Sequence, residues 1–345
     1  MDIYARQINA GLNEIGCQSS IFTPRHPLER VHHSRFAMRY LRYFAYPRQV
    51  QRHDQVADVQ HVIDHGYAHL HSNLGRGLKV VSAHDLIPFL TWQGRIPSEG
   101  KVRKPHLNLH SLKYLRDYDR VIAMSQSTAR DLIDLLGVCA DKISIVPPVI
   151  GEHFSHQDPH AVSKYRKQLV GDSEAKIVMI SGREHYKNFE TSIRVVKRLL
   201  NQNVNVVLIK SGLPNPSFDQ LIQQEKIADK AKSIYIESHL DLPLLYSAAD
   251  CLLFPSWYEG FGMPVAEALA CGTCVVSSNA ASLPEVGGEL ALTAEPDDVA
   301  GLADLVYTCL TDESMKKKVL RHGERWVDQF RTEPVLNRLM KAYNV

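Results

Sequence analysis

The sequence predicts an α/β protein with two Rossmann-like domains, each built on a parallel sheet, facing each other across a cleft. Three observations carry this reading. Short apolar runs alternate with helical patterns along the whole chain, as successive βαβ units require. The 345 residues are enough for two α/β domains of ordinary size. Pro147-Pro148 interrupts the alternation near the middle, and the polar run 151–160 reads as a linker. The expected limits are 1–155 for the first domain and 156–328 for the second, with a helix in 329–345 returning to the first.

An amphipathic helix is expected at 3–15, a strand at 19–23 and a longer helix at 28–44. Apolar runs at 59–63, 78–83, 120–124 and 143–146 read as strands, with helices at 106–116 and 127–136. Ser125 or Ser127 suits the N-cap of the last helix. Past the linker, strands are expected at 177–180, 204–209, 233–237, 251–254, 274–277 and 290–293. Helices are expected at 189–200, 217–226, 242–248, 264–271, 296–311, 314–330 and 334–343.

One segment is more informative than the rest. Glu259 and Glu267 bracket seven residues that contain the turn Gly260-Phe261-Gly262. A buried strand runs into this turn and a helix leaves it. Pro264 fits the first helical turn, where its missing N–H costs nothing, and Gly272 suits the left-handed residue that ends the helix. Strand, tight glycine turn and helix aim backbone amides at a ligand outside the strand's carboxyl end. Amides for anionic groups beside carboxylates for hydroxyls suit a sugar nucleotide. The plain alternative is two solvated carboxylates on an ordinary βαβ unit.

A second loop, Ser181-Gly182-Arg183-Glu184-His185-Tyr186-Lys187-Asn188, follows the first strand of the second domain. Gly182 lets a ligand approach the backbone. Arg183 and Lys187 place two cations on one short loop, which suits a diphosphate leaving group whose charge grows as it departs. In the first domain, His84-Asp85 closes a strand at its carboxyl end. His84 is a candidate hydrogen-bond partner for a substrate hydroxyl or phosphate. Adjacent residues on a strand end point apart, so the two are not read as a catalytic dyad.

Several classes are excluded. The chain has no G-x-x-x-x-G-K phosphate loop and no G-x-S-x-G elbow, and Gly75-Arg76-Gly77 precedes a strand instead of following one. Cys271 and Cys274 form a C-x-x-C with no second pair to complete a zinc site. The six cysteines are scattered and read as reduced core thiols of a cytoplasmic protein. No run of about 18 apolar residues is present and no signal peptide opens the chain. The net charge of +2 is uninformative, but seven arginines and one acid fall between residues 25 and 52, interleaved with Phe36, Tyr40, Tyr43, Phe44 and Tyr46. That is the pattern of a segment lying on an acidic membrane surface, or of a solvated basic helix whose aromatics face the core. No nucleic-acid motif accompanies it.

With these motifs in place, the chain resembles the retaining glycosyltransferases of family 4, which have the GT-B fold. The resemblance rests on Glu259 through Glu267, on Gly182-Arg183 with Lys187-Asn188, and on Leu245-Tyr246 through Asp250. Ser82 through Pro88, Val121 through Ser125, and Ser282-Leu283-Pro284-Glu285-Val286 add to it. It covers nearly the whole chain and is most specific from 176 to 295. The His84 and Ser282 motifs look most like the mannosyltransferase branch, whose members build bacterial surface polysaccharides.

The resemblance implies a role at each matching position. Glu267 would hold the ribose hydroxyls of a GDP- or UDP-linked donor, and Glu259 the hydroxyls of the transferred sugar. Arg183 and Lys187 would neutralise the diphosphate. Gly182, Gly260, Phe261 and Gly262 would line the donor, and His84 would sit near the donor sugar from the other domain. Such enzymes retain configuration by same-face displacement with no metal required, so no carboxylate nucleophile is assigned. The acceptor would be a saccharide or a lipid-linked saccharide, met at the inner face of the plasma membrane.

Three departures stand out. Cys274 replaces a usual proline, Phe330-Arg331-Thr332 lacks a frequent tryptophan, and the helix at 3–15 stands almost first in the chain. The family's first strand and glycine loop are therefore expected to be missing, through a start assigned too far downstream or through truncation. Besides transfer, the sequence leaves open a sugar-nucleotide epimerase of the same fold and a non-catalytic sugar-nucleotide-binding protein.

Overall fold

The structure, a computed structural model, describes residues 2–24, 39–53, 56–98, 100, 102–236 and 238–344. The chain divides into two compact units. One holds Met1–Trp92, Arg103–Val149 and Thr332–Val345; the other holds Gln93–Val102 and Ile150–Arg331.

The first unit is built on four parallel strands: β1 (Val56–Val62), β2 (Arg76–Ala83), β3 (Arg120–Ala123) and β4 (Ile143–Ile145), in the order β1-β2-β3-β4. Burial deepens along β2, whose last four residues, Val80 to Ala83, are in the core. Apolar runs in parallel strands covered by helices are expected to bury in this way. Ser125 caps the helix Gln126–Leu136 by accepting from the Thr128 N–H at 3.0 Å, as its position before the apolar pattern predicts. The C-terminal helix Thr332–Tyr343 packs on the first helix, Asp2–Glu14. Gly11 permits this, because a Cβ there would stand 2.4 Å from Leu336 Cδ1.

The expected strand at 19–23 is a correction: the segment is not in a strand and has no sheet partner among the described residues. Its backbone is met by side chains of the first helix instead. Asn13 accepts from the Ser19 N–H and donates to the Ser19 carbonyl, each at 3.0 Å. Local side-chain bonds have taken the place of a ladder. Among the described residues the first strand is β1. Residues 28–38 of the helix expected at 28–44 lie outside the described residues; beyond them the basic segment continues as a π-helical turn, Leu41–Ala45, and a helix, Tyr46–Arg52.

The second unit carries six parallel strands: β5 (Lys176–Ser181), β6 (Val206–Ser211), β7 (Ala231–Ile234), β8 (Cys251–Phe254), β9 (Cys274–Ser278) and β10 (Ala291–Ala294). Their order, β10-β9-β8-β5-β6-β7, is that of a doubly wound sheet. The chain winds outward from β5 in one direction and then, from β8, in the other. The topological switch point therefore falls between β5 and β8, which pair through Val178 with Cys251 and Met179 with Leu252.

Sequence reading missed the helix Pro159–Val170, whose polar start was taken for linker. Asp158 caps it, accepting from the Ala161 N–H at 2.9 Å, and Arg166 ties it to Asp250 at 2.7 Å. The short helices Ile87–Trp92 and Leu283–Gly287 were also missed. The expected strand at 233–237 begins earlier, because β7 registers on β6 from Ala231 opposite Leu208. No helix among the described residues is long and apolar enough to cross a membrane.

Candidate functional site

Two loops meet at the switch point, one after β5 and one after β8. They are stitched together by the Trp257 N–H, which donates to the Tyr186 carbonyl at 2.9 Å. Asp297 reinforces the junction, accepting from Trp257 Nε1 at 2.8 Å and from Asn188 Nδ2 at 3.1 Å. This brings Lys187 to Glu259: Nζ donates to Oε1 at 2.7 Å, and both side chains are close to nine-tenths buried. The ammonium also lies over the Phe254 ring, 4.7 Å from its centroid.

Glycine is required on both loops. Gly182 has φ +97°, and a Cβ there would stand 3.0 Å from Lys187 Cε, so the lysine stem occupies the space a side chain would fill. Gly262 has φ +99°, and a Cβ there would meet Leu283 Cδ2 at 2.6 Å. The turn itself is pinned by Ser282, whose hydroxyl lies within hydrogen-bond reach of the Glu259 carbonyl at 3.0 Å and the Phe261 carbonyl at 2.7 Å. The helix Met263–Ala270 then starts with Pro264 in its first turn and no side-chain cap.

Glu267 lies on this helix, fully buried among apolar residues. Its Oε2 accepts from the Tyr246 hydroxyl at 2.8 Å. Burial pushes the carboxyl up to about 7, against the pull of the Tyr246 hydrogen bond and the Lys187 charge. Carboxyl and carboxylate are thus both populated near neutral pH. Burial and the facing carboxylate push the Tyr246 hydroxyl far upward, so it stays a donor.

The structure brings Lys187, Glu259 and Glu267 together, with Gly182 beneath the lysine and Gly260-Phe261-Gly262 between the glutamates. Arg183 stands on the same loop but turns outward. Its guanidinium is 3.8 Å from Glu184, and the Arg183 backbone N–H donates to the same carboxylate at 3.1 Å. His84 belongs to the other unit, at the end of β2. Its Nε2 is 2.7 Å from the Ile63 carbonyl and donates to it, its ring lies edge-on to Tyr4, and burial holds its pKa below the ordinary histidine range. Nδ1 is left as an acceptor. Sequence reasoning gave no role to Tyr246 or Ser282, although both stand in the quoted motifs. Only their contacts reveal what they hold.

Cys271 and Cys274 are free thiols in the core, and their surroundings push both thiols upward, mainly by burial at Cys271 and by the neighbouring Cys309 at Cys274. Among the described residues, no group of three or more histidine, cysteine or acidic side chains is arranged to hold a metal ion.

Two sheets of parallel strands with the second in doubly wound order define a GT-B architecture. A sucrose-phosphate synthase from Thermosynechococcus elongatus superposes with a TM-score of 0.79 over 99% of this chain and 92% of its own, at 20% identity. Residues 1–152 match the family model described as Glycosyltransferase Family 4, and residues 162–326 the model described as Glycosyl transferases group 1. The chain belongs to the glycosyltransferases of family 4. It is 41% identical over 253 residues to O-antigen chain mannosyltransferase B of Escherichia coli, a match covering 71% of this chain and 65% of that protein. It is 29% identical over 254 residues to the serotype-specific mannosyltransferase WbdA of the same species, covering 71% of this chain and 30% of that one. The chain thus spans just under two thirds of the first relative's length and less than a third of the second's.

Proposed function

We propose that the protein transfers a hexose, mannose from GDP-mannose as the first candidate, to a saccharide or lipid-linked acceptor in surface-polysaccharide synthesis, with retention of configuration. The observation that carries this is the Lys187–Glu259 pair at the switch point, with Glu267 alongside. A buried cation and two carboxylates at the carboxyl ends of β5 and β8 suit a ligand with a diphosphate flanked by two polyhydroxyl groups. The likeness to two mannosyltransferases supports the choice of sugar.

In this reading the ammonium of Lys187 leaves Glu259 for the donor diphosphate, and the freed carboxylate takes sugar hydroxyls. Arg183, on a loop exposed to solvent, swings from Glu184 to the phosphate that carries the sugar. The bond from the anomeric carbon to the phosphate oxygen breaks as the acceptor oxygen bonds to the same face. The acceptor proton leaves on the departing phosphate. Glu267 accepts from the ribose hydroxyls. No metal is invoked.

The test is incubation of the protein with labelled GDP-mannose and UDP-sugars, with and without a membrane extract and with and without chelator. Acceptor-dependent, chelator-resistant transfer of mannose supports the proposal. Release of an altered sugar with no acceptor indicates epimerisation, and tight binding without turnover indicates a binding protein; either outcome overturns it.

A further inference from the structure

Two imidazoles that belong to no motif form a short chain that ends beside Glu267. His153 precedes the helix Pro159–Val170, and His239 opens a 3-10 turn, His239–Asp241, ahead of the helix Leu242–Ala248. His153 Nε2 is 3.3 Å from His239 Nδ1, and His239 Nε2 is 3.7 Å from Glu267 Oε1. Phe154 lies edge-on to the His239 ring at 5.1 Å and to Tyr246 at 6.1 Å, so the aromatic ring sets the plane in which the imidazole stands. The other carboxyl oxygen is held by Tyr246.

We propose that His239, aligned by His153, is a positioning residue that favours the accepting form of Glu267 and keeps it turned toward the vicinal hydroxyls of the donor ribose. The inference rests on the reading of Glu267 as the ribose carboxylate and assigns what keeps it in its accepting form.

A neutral imidazole carries one N–H. If His153 Nε2 donates to His239 Nδ1, the His239 hydrogen must sit on Nε2, the nitrogen that faces Glu267. A donor there favours the carboxylate. With Tyr246 donating to Oε2 and the His239 N–H closing the 3.7 Å to Oε1 as the nucleotide binds, the carboxylate keeps lone pairs for two ribose hydroxyls, and a carboxyl that is protonated cannot accept from both. The remaining groups that face this chain are Lys187, whose charge favours the carboxylate, the Cys271 thiol, and Arg331, which disfavours a second charge on His153. Burial lowers both histidines, which keeps them neutral donors near pH 7. His239 is close to half exposed, so it can be replaced without opening the core.

The test is calorimetric titration of the full chain with GDP, UDP and their 2′-deoxy forms between pH 6 and 8. His239→Ala is expected to weaken binding of the preferred ribonucleotide about tenfold at pH 6.5 and less at pH 8, moving the pH midpoint of affinity upward. His239→Gln, whose amide donates, is expected to restore the wild-type profile. His153→Ala is expected to shift the midpoint in the same direction by less. The deoxynucleotide should bind wild type and His239→Ala with closely similar affinity. An unchanged midpoint in His239→Ala, or an equal loss for ribo- and deoxynucleotide, overturns the inference and leaves the ribose role of Glu267 standing. Equal binding of both nucleotides by wild type and by Glu267→Ala overturns that role and the inference with it.

Discussion

Lys187 Nζ and Glu259 Oε1 are 2.7 Å apart although 72 residues separate them, and each partner is almost withdrawn from water. A buried pair of this kind makes one charge the condition for keeping the other. Lys187→Ala strands a buried carboxylate, and the loss of stability expected is about 3 kcal/mol, whereas the double replacement Lys187→Met with Glu259→Gln should recover most of it. Chemical denaturation of the three proteins measures this. A double variant no more stable than Lys187→Ala would show that the two groups are not coupled.

Glu267 makes stability depend on pH in an unusual direction. Its folded value, about 7, lies above that of a free glutamate. The folded state therefore holds the proton more tightly, and stability falls as pH rises from the free value toward 7, with the full cost present above that. The cost is at most about 3 kcal/mol. Glu267→Gln removes it. Melting curves should show the variant gaining on wild type at pH 8 and not at pH 4; a gain independent of pH would contradict this assignment.

The turn between the glutamates depends on Gly262 and Ser282. Gly262→Ala meets both a left-handed backbone and Leu283, so a loss above about 1 kcal/mol is expected. Ser282→Ala strips a hydroxyl partner from two carbonyls, with a cost of about 1–3 kcal/mol. Both changes should weaken nucleotide binding with the far-ultraviolet circular dichroism spectrum unchanged. Binding as strong as wild type would show that the turn does not seat the donor.

The described part of the basic segment, 39–52, divides into two faces. Tyr40 and Phe44 are exposed and stack at 5.8 Å beside exposed Arg39 and Arg48. Tyr43 and Arg42 turn inward, onto His69 and over Tyr67 respectively. If the exposed face docks on acidic lipid, sedimentation with phosphatidylglycerol vesicles should fall steeply with salt, and Tyr40→Ser with Phe44→Ser should abolish it. Absence of binding at low salt would leave the segment as a solvated helix.

Much of the second unit was legible because local signals agree there. The helix Leu242–Ala248 and the strand Cys251–Phe254 stand where pattern places them, and Gly272 has the left-handed φ of +79° that its position after a helix implies. The first unit was harder. Residues 19–23 have the composition of a strand, but a strand exists only where a neighbour completes its ladder, and Asn13 supplied the bonds instead. In the second unit the helix Pro159–Val170 was hidden for the opposite reason: its start is polar enough to read as linker, and its partner Asp250 is distant in sequence.

The sequence by itself determined the chemistry available: two carboxylates around a glycine turn, a loop with two cations, and the helices that carry them. Local spacing and backbone preference suffice for that. Which of these groups meet was decided only by tertiary structure. The pairing of β5 with β8 places Lys187 on Glu259 and leaves Arg183 on Glu184. The packing of the segments around Phe154 and Tyr246 sets His239 beside Glu267. Burial, which no residue carries in its own name, then raises that carboxyl to about 7, where a proton is readily gained or lost near neutral pH.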